Sequence, residues 1–479
     1  MKNQIHMGRL NPDFIKTAAA SAACLTLGLN SLFSQKPNVI IFLADDLGYA
    51  DIGCYGNKDI RTPNIDKLYR QGVHFTSFYV NSAESTPTRA ALLTGRYQQR
   101  AGGLECALGA GNVGRYDEAI WLANQGELGL PAAECTLPLS LKKAGYKTAM
   151  FGKWHLGYEK KFRPDSHGFD YSFGPIGYGG DYFYHTEQVA INQSDFKGYS
   201  GTHVLAENGK EISREGEYKT ELLTKEAVKW INSQNKKNPF FLYMAWTSPH
   251  SPYQGPDDKI GRPLTEKEWN SSTPEVYRKM VEALDDGIGR ILTELENKGL
   301  DRETIVIFLS DNGGTRAGNN GILSGFKSEL YEGGIRVPCI IRWPGKIKAN
   351  SVSEQVGIGF DLTRSIINLS GIDTKDLKLD GYDIINHVTK NLKDIDRNLC
   401  WRYRRGDATR KAVRDGDFKY LIEFKSNSIV DEKVFNIKND PSEKNDLLKS
   451  MPEEKSRLQK ILSGWEEEVK SPRLKAFKR

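Results

Sequence analysis

The chain has 479 residues, 38% of them hydrophobic, and a formal net charge of +6. That length accommodates about two or three domains with a sizeable core. Lys and Arg are scattered rather than blocked, which excludes the basic footprint of a nucleic-acid binder, and beyond residue 34 no run is long and apolar enough to span a membrane.

In chain order, Lys2, Arg9 and Lys16 precede a small and apolar stretch from Ala18 to Phe33, and the chain turns polar at Ser34-Gln35-Lys36. This pattern predicts an export signal over residues 1–34 and a periplasmic or secreted mature protein. Four later segments share one design, an apolar run that ends in polar residues. Val39–Ala44 ends in Asp45-Asp46, and Thr148–Gly152 in Lys153-Trp154-His155. Pro239–Trp246 ends in Thr247-Ser248-Pro249-His250, and Thr304–Ser310 in Asp311-Asn312-Gly313. Such runs read as strands buried on both faces of a parallel sheet.

Helical patterns lie between them, at Thr62–Leu68 and at Val276–Leu295, where Met280, Leu284, Ile288, Ile291 and Leu295 recur at helical spacing. In the stretch ESTPTRAALLTGR (84–96), Thr86 is expected to cap a helix, with Pro87 first and Gly95 closing it. Strands alternating with helices predict an α/β sheet whose ligand lies beyond the carboxyl ends of its strands. Beyond about residue 365 the texture changes. Val413–Phe424 and Glu432–Ile437 read as antiparallel strands, and Leu458, Ile461, Leu462, Trp465 and Val469 mark a closing helix. The expected domains are an α/β catalytic domain over 35–365 and an α+β subdomain over 366–479. The six cysteines, Cys24, Cys54, Cys106, Cys135, Cys339 and Cys400, show neither zinc spacing nor a disulfide framework.

Asp45, Asp46, Asp311 and Asn312 offer three carboxylates and an amide oxygen at matching strand ends. Grouped carboxylates repel one another unless a cation joins them, and hard oxygen donors suit Ca²⁺ or Mg²⁺ rather than Zn²⁺. Lys153, His155, His250 and Lys327 add cations and proton carriers, and Arg89 with the N-terminus of the Pro87 helix offers an oxyanion site. Together they describe a hydrolase for a sulfate or phosphate ester.

Ser85-Thr-Pro87-Thr-Arg89-Ala-Ala-Leu-Leu-Thr94-Gly95-Arg96 resembles the signature of the formylglycine-dependent sulfatases. Asp45-Asp46-Leu47-Gly48, Gly152-Lys153-Trp154-His155, Ser248-Pro249-His250, Asp311-Asn312-Gly313, Arg414-Asp415-Gly416-Asp417 and Asn439-Asp440-Pro441 extend the resemblance over nearly the whole mature chain. It implies an alkaline-phosphatase-like fold, a large, mostly parallel mixed sheet flanked by helices, and a bound calcium ion held by Asp45, Asp46, Asp311, Asn312 and residue 85. It implies that Ser85 is oxidised to formylglycine by a maturation enzyme that accepts serine. The hydrated aldehyde would attack sulfur, and the sulfated hemiacetal would collapse to aldehyde and free sulfate. By the same resemblance Arg89 and Lys153 orient the diol and His155 is the base of the collapse. His250 and Lys327 bind sulfate, one of them protonating the leaving oxygen.

Arg100, in Tyr97–Cys106, and the stretch Gly111–Tyr116 resemble sulfatases of sulfated galactans and galactosamine glycans. Asp181 and His185 in an aromatic loop, and Trp401 and Arg402 further on, are candidate sugar contacts; a packed loop and an interdomain contact are the alternatives. The expected partner is thus a sulfated oligosaccharide or polysaccharide, with the protein a monomer or dimer. The rival functions are a phosphate or phosphonate monoester hydrolase of the same superfamily and a non-catalytic glycan binder in which Ser85 is never converted.

Overall fold

The computed structural model describes residues 36–109, 111–186, 205–269, 271–474 and 477. The expected export signal, 1–34, lies outside them. The large sheet has ten strands. In chain order they are β1 (Asn38–Ala44), β2 (Val73–Phe75), β4 (Lys147–Gly152), β5 (Tyr171–Pro175), β6 (Leu205–Glu207), β7 (Lys210–Glu211), β8 (Phe240–Ala245), β9 (Thr304–Ser310), β10 (Cys339–Arg342) and β11 (Ser351–Ser353). Their spatial order is β11-β2-β10-β9-β1-β8-β4-β5-β6-β7. β3 (Phe78–Tyr79) and β12 (Gly357–Ile358) form a separate short parallel pair.

The four apolar runs read from the sequence are the adjacent parallel strands β9, β1, β8 and β4. Every residue of β1, β8 and β9 is buried, because helices cover both faces of the sheet. Val39, Ile41 and Leu43 point to one core, with the Ser85–Thr94, Leu137–Lys143 and Gly359–Leu369 helices. Ile40, Phe42 and Ala44 point to the other, with the Pro63–Gln71, Lys219–Asn232 and Pro274–Asn297 helices. This alternation is the two-residue period of a strand.

Register places the chemistry. Ala44 pairs with Ser310, Leu43 with Ala245, and Ala245 with Gly152. The polar tails after β1, β9, β8 and β4 therefore leave the sheet at one edge and one level. Gly152 (φ 106°) is essential to the last of these, since a Cβ there would lie 1.9 Å from the Ala245 carbonyl oxygen. The close approach lets Lys153 N–H donate to that oxygen at 2.7 Å.

A second sheet, β13 (Asn398–Arg405), β14 (Ala408–Asp415), β15 (Phe418–Lys425) and β16 (Ser428–Asn436), is an antiparallel meander. The closing helix, Pro452–Glu468, packs Leu458, Leu462 and Trp465 into the same core as one face of the large sheet. The boundary expected at 365/366 falls inside the Gly359–Leu369 helix, whose Phe360, Leu362 and Ile366 belong to that shared core. Cys54, Cys106, Cys135, Cys339 and Cys400 are free thiols. Among the described residues no helix is long and apolar enough to cross a membrane.

Candidate active site

The Ser85–Thr94 helix is buried at all ten positions and starts two residues earlier than the sequence suggests. Glu84 is the N-cap, in extended conformation, and Ser85 is the first helical residue. Thr86 is not free to cap, since its hydroxyl donates to the His155 carbonyl at 2.9 Å and accepts the Leu108 N–H at 3.1 Å. Gly95 closes the helix in left-handed conformation, as expected.

Ser85 Oγ donates to Asp45 Oδ1 at 3.2 Å and accepts from Lys153 Nζ at 3.2 Å. The same ammonium lies 2.7 Å from Asp45 Oδ2, and Asp45 and Lys153 side chains are both fully buried. Arg89 forks onto Asp311 Oδ2 through Nε (3.0 Å) and Nη2 (2.8 Å), and its Nη1 holds the Lys153 carbonyl at 2.8 Å. Lys327 Nζ reaches the Asp46 carboxylate at 2.8 Å, and Asn312 Nδ2 donates to Asp46 Oδ1 at 2.8 Å. His250 Nε2 stands 3.6 Å from Asp46 Oδ2, its Nδ1 on the Ser251 carbonyl oxygen. His155 Nε2 meets the Leu108 carbonyl oxygen at 3.0 Å. The structure thus brings Ser85, Asp45, Asp46, Asp311, Asn312, Arg89, Lys153, Lys327 and His250 into one contiguous network, with His155 beside it. Asp46 (φ 66°) and His155 (φ 61°) adopt left-handed backbone conformations that only a well-determined surrounding sustains.

Three carboxylates face three cations here. Burial opposes ionisation of Asp45, but Lys153, His250 and Arg89 hold its carboxyl below the usual range. Burial likewise opposes ionisation of Asp46, which Lys327 and His250 overcome. Burial, reinforced by Lys153, pushes the His155 imidazole well below its ordinary value. Burial and Lys327 lower His250 as well. His155 is thereby biased to the neutral form.

The donor set suits a hard divalent cation. Asn312 Oδ1 is buried and has no hydrogen-bond donor, while the amide's Nδ2 donates to Asp46 Oδ1. Oxygen atoms of Asp45 and Asp46 and a ring nitrogen of His250 all lie within 4.8 Å of one another. Asp45, Asp46, Asp311 and Asn312 are the residues fitted to hold the ion. The network opens to solvent on one side, where the Lys327 side chain is 21% and the His250 side chain 14% exposed.

The candidate sugar contacts lie elsewhere or are already engaged. Asp181 is buried and accepts the N–H groups of Phe183, Tyr184 and Thr186, so it caps its own loop. His185 is fully buried, its Nε2 against the Glu217 carbonyl oxygen. Trp401 is a fully buried β13 residue whose indole N–H donates to the Val80 carbonyl. Arg402 forks onto Glu105 at 2.7 and 2.8 Å and also holds Glu466. Arg100 is tied to Asp380 and to the Glu468 carbonyl on the closing helix. Asp181, His185 and Trp401 are buried, Arg100 and Arg402 are ion-paired, and Trp401 and Arg402 tie β13 to Val80, Glu105 and Glu466. Two useful residues escaped the sequence reading. Tyr182 O–H is shared between the Thr247 and His250 carbonyl oxygens (2.8 and 2.9 Å) and fixes the His250 turn. Glu84 gathers four donors next to Ser85. The visible signal for Glu84 was a lone acid directly before the helix.

Comparison with known proteins agrees with this geometry. The Sulfatase family model matches residues 37–372, and that of the N-sulphoglucosamine sulphohydrolase C-terminal region matches residues 325–470. The chain is 35% identical over 395 residues to N-acetylgalactosamine-6-sulfatase of Rattus norvegicus, covering 80% of this chain and 71% of that protein. It is 31% identical over 430 residues to Arylsulfatase A of Homo sapiens, covering 84% and 78%. In structure it is similar to Ps i-CgsB in complex with k-i-k-neocarrahexaose, with a TM-score of 0.77, 32% identity and coverage of 93% and 95%. The chain belongs to the sulfatase family, and it is a sulfuric ester hydrolase with an alkaline-phosphatase-like fold.

Proposed function

We propose that the protein removes sulfate from a sulfated carbohydrate, with galactose or N-acetylgalactosamine as the sugar, using a formylglycine made from Ser85 and a bound calcium ion. The observation that carries this reading is the seat of Ser85. Its Oγ lies between Asp45 and Lys153, at the start of a buried helix and beside an acidic cluster with an unsatisfied amide oxygen. Two similar proteins support the sugar, one named for N-acetylgalactosamine 6-sulfate and one bound to neocarrahexaose.

Bound calcium would polarise sulfate oxygens and favour deprotonation of the attacking hydroxyl. The chain's own residues do the rest. Lys153 and Arg89 fix the nucleophile from the buried side, so little reorganisation is needed when charge develops. Lys327 and His250 face the open side, where a sulfate would enter, and meet its oxygens. His250 or Lys327 supplies a proton to the departing alkoxide, while neutral His155 is the base that takes the proton from the second hydroxyl of residue 85. The N-terminal pattern supports export of the enzyme to the periplasm or medium.

The test is release of sulfate against release of phosphate from matched esters, followed by a panel of galactose and N-acetylgalactosamine sulfates. The reading expects sulfate release and a preference within that panel. Faster phosphate release would replace it with the phosphatase reading.

A further inference from the structure

We propose that Glu84 is a positioning residue that sets two catalytic side chains, His155 and Lys327, from opposite sides of residue 85. The inference rests on the function proposed above, from which it takes the work of those two side chains.

Glu84 is 2% exposed and makes no capping bond to its own helix. A carboxylate in that place adds negative charge next to an acidic cluster, so it must be held by other groups. It is held by four. Oε2 accepts the Ala107 N–H at 2.7 Å. Oε1 accepts the Ser328 hydroxyl at 2.8 Å, the Tyr403 hydroxyl at 3.1 Å and Arg405 Nη1 at 3.1 Å. Tyr403 and Arg405 belong to β13, so the antiparallel sheet reaches the nucleophile through this one side chain.

Two of these bonds lead to catalytic groups. The residue after Ala107 is Leu108, whose carbonyl oxygen orients His155 Nε2 at 3.0 Å. On the other side, Ser328 directly follows Lys327 and has φ 72°. A serine there persists only where its surroundings over-determine it. Its N–H donates to the Ala83 carbonyl at 2.9 Å, its carbonyl accepts Arg410 Nη1 at 2.9 Å, and its hydroxyl is on Glu84. The turn that presents Lys327 to Asp46 is thus pinned to the strap that carries residue 85. A displacement of about 1 Å at such a group costs up to about 100-fold in rate.

Ser328→Gly separates positioning from folding. Glycine relieves the left-handed backbone, so Tm stays level or rises, while the bond to Glu84 is lost. With calcium-loaded enzyme and the aldehyde at residue 85 counted by peptide mass, kcat per aldehyde on an aryl sulfate is expected to fall about tenfold with KM within about threefold. Glu84→Ala should lower kcat per aldehyde further, Glu84→Gln should recover part of it, and Glu84→Ala/Ser328→Gly should cost no more than Glu84→Ala alone. Counting aldehyde separates these effects from any loss of maturation next to the modified residue. Wild-type kcat in both Ser328→Gly and Glu84→Gln, with Lys327→Ala inactive, would overturn the proposal alone. A kcat loss that tracks a fall in Tm would also overturn it. If Lys327→Ala keeps full turnover, the functional reading falls as well.

Discussion

Two of the buried charge clusters among the described residues differ in their surroundings. In one, Lys419 of β15 stands 2.9 Å from both Glu332 and Glu443, all three side chains being buried. Tyr79 and Arg336 complete Glu332, and the Glu332 N–H reaches Glu443 Oε2 at 2.7 Å. This set is closed and stitches the meander to the large domain. The other set gathers Asp45, Asp46 and Asp311 with Arg89, Lys153 and Lys327. It has a solvent-facing side at Lys327 and His250 and an amide oxygen with no donor. Burial and pairing are common to both. An open side marks the one fitted to receive a ligand.

That contrast is breakable by substitution. The largest effect is expected from Asp311→Ala, which removes an oxygen donor and the partner of Arg89. Activity should fall to background, and metal analysis should show calcium lost from the purified protein. Unchanged calcium stoichiometry would place the ion elsewhere. Next is Lys327→Ala, with turnover lower by about 100- to 1,000-fold and Tm nearly unchanged, because a partly exposed cation meets charge mainly in the transition state. Turnover within threefold of wild type would remove Lys327 from the catalytic set.

Lys419→Ala should behave in the opposite way. It leaves Glu443 without its cation and Glu332 with Arg336, which costs about 3–5 kcal/mol of stability, while kcat per folded molecule holds. A change in kcat at unchanged stability would break the contrast between the two clusters. The smallest effect concerns pH. Burial raises Glu443 from 4.5 to about 7, so the folded protein holds this proton more tightly than the unfolded chain. The contribution is fully present below pH 4.5 and is lost as pH rises through about 7. Relative to wild type, Glu443→Gln should gain Tm over that window and differ little below it. Parallel Tm curves across the window would deny the shift.

How much of this was legible depended on what each residue's polar atoms meet. Asp45, Asp46, Asp311 and Asn312 could be read because continuous apolar runs fix strand ends, and parallel pairing in register brings those ends to one level. Asp181 was misleading because composition does not reveal that its own loop consumes its carboxylate, and His185 because the ring is buried against the Glu217 carbonyl. Trp401 was misread although its strand carried the signal. Leu399, Trp401 and Tyr403 alternate with Arg402 and Arg404, which is a half-buried strand and not a pocket rim. The helix start was placed two residues late because Thr-Pro is an ordinary opening, whereas tertiary partners claim the Thr86 hydroxyl. The role of Glu84 was hidden because its four donors come from three distant segments.

The central claim is that residue 85 is the nucleophile after conversion to an aldehyde. The most direct test is a peptide mass spectrum across Ser85, on protein purified from its natural host. The account predicts a peptide lighter by one H₂ and trappable as a hydrazone. An unmodified serine in protein that still hydrolyses sulfate esters would contradict it.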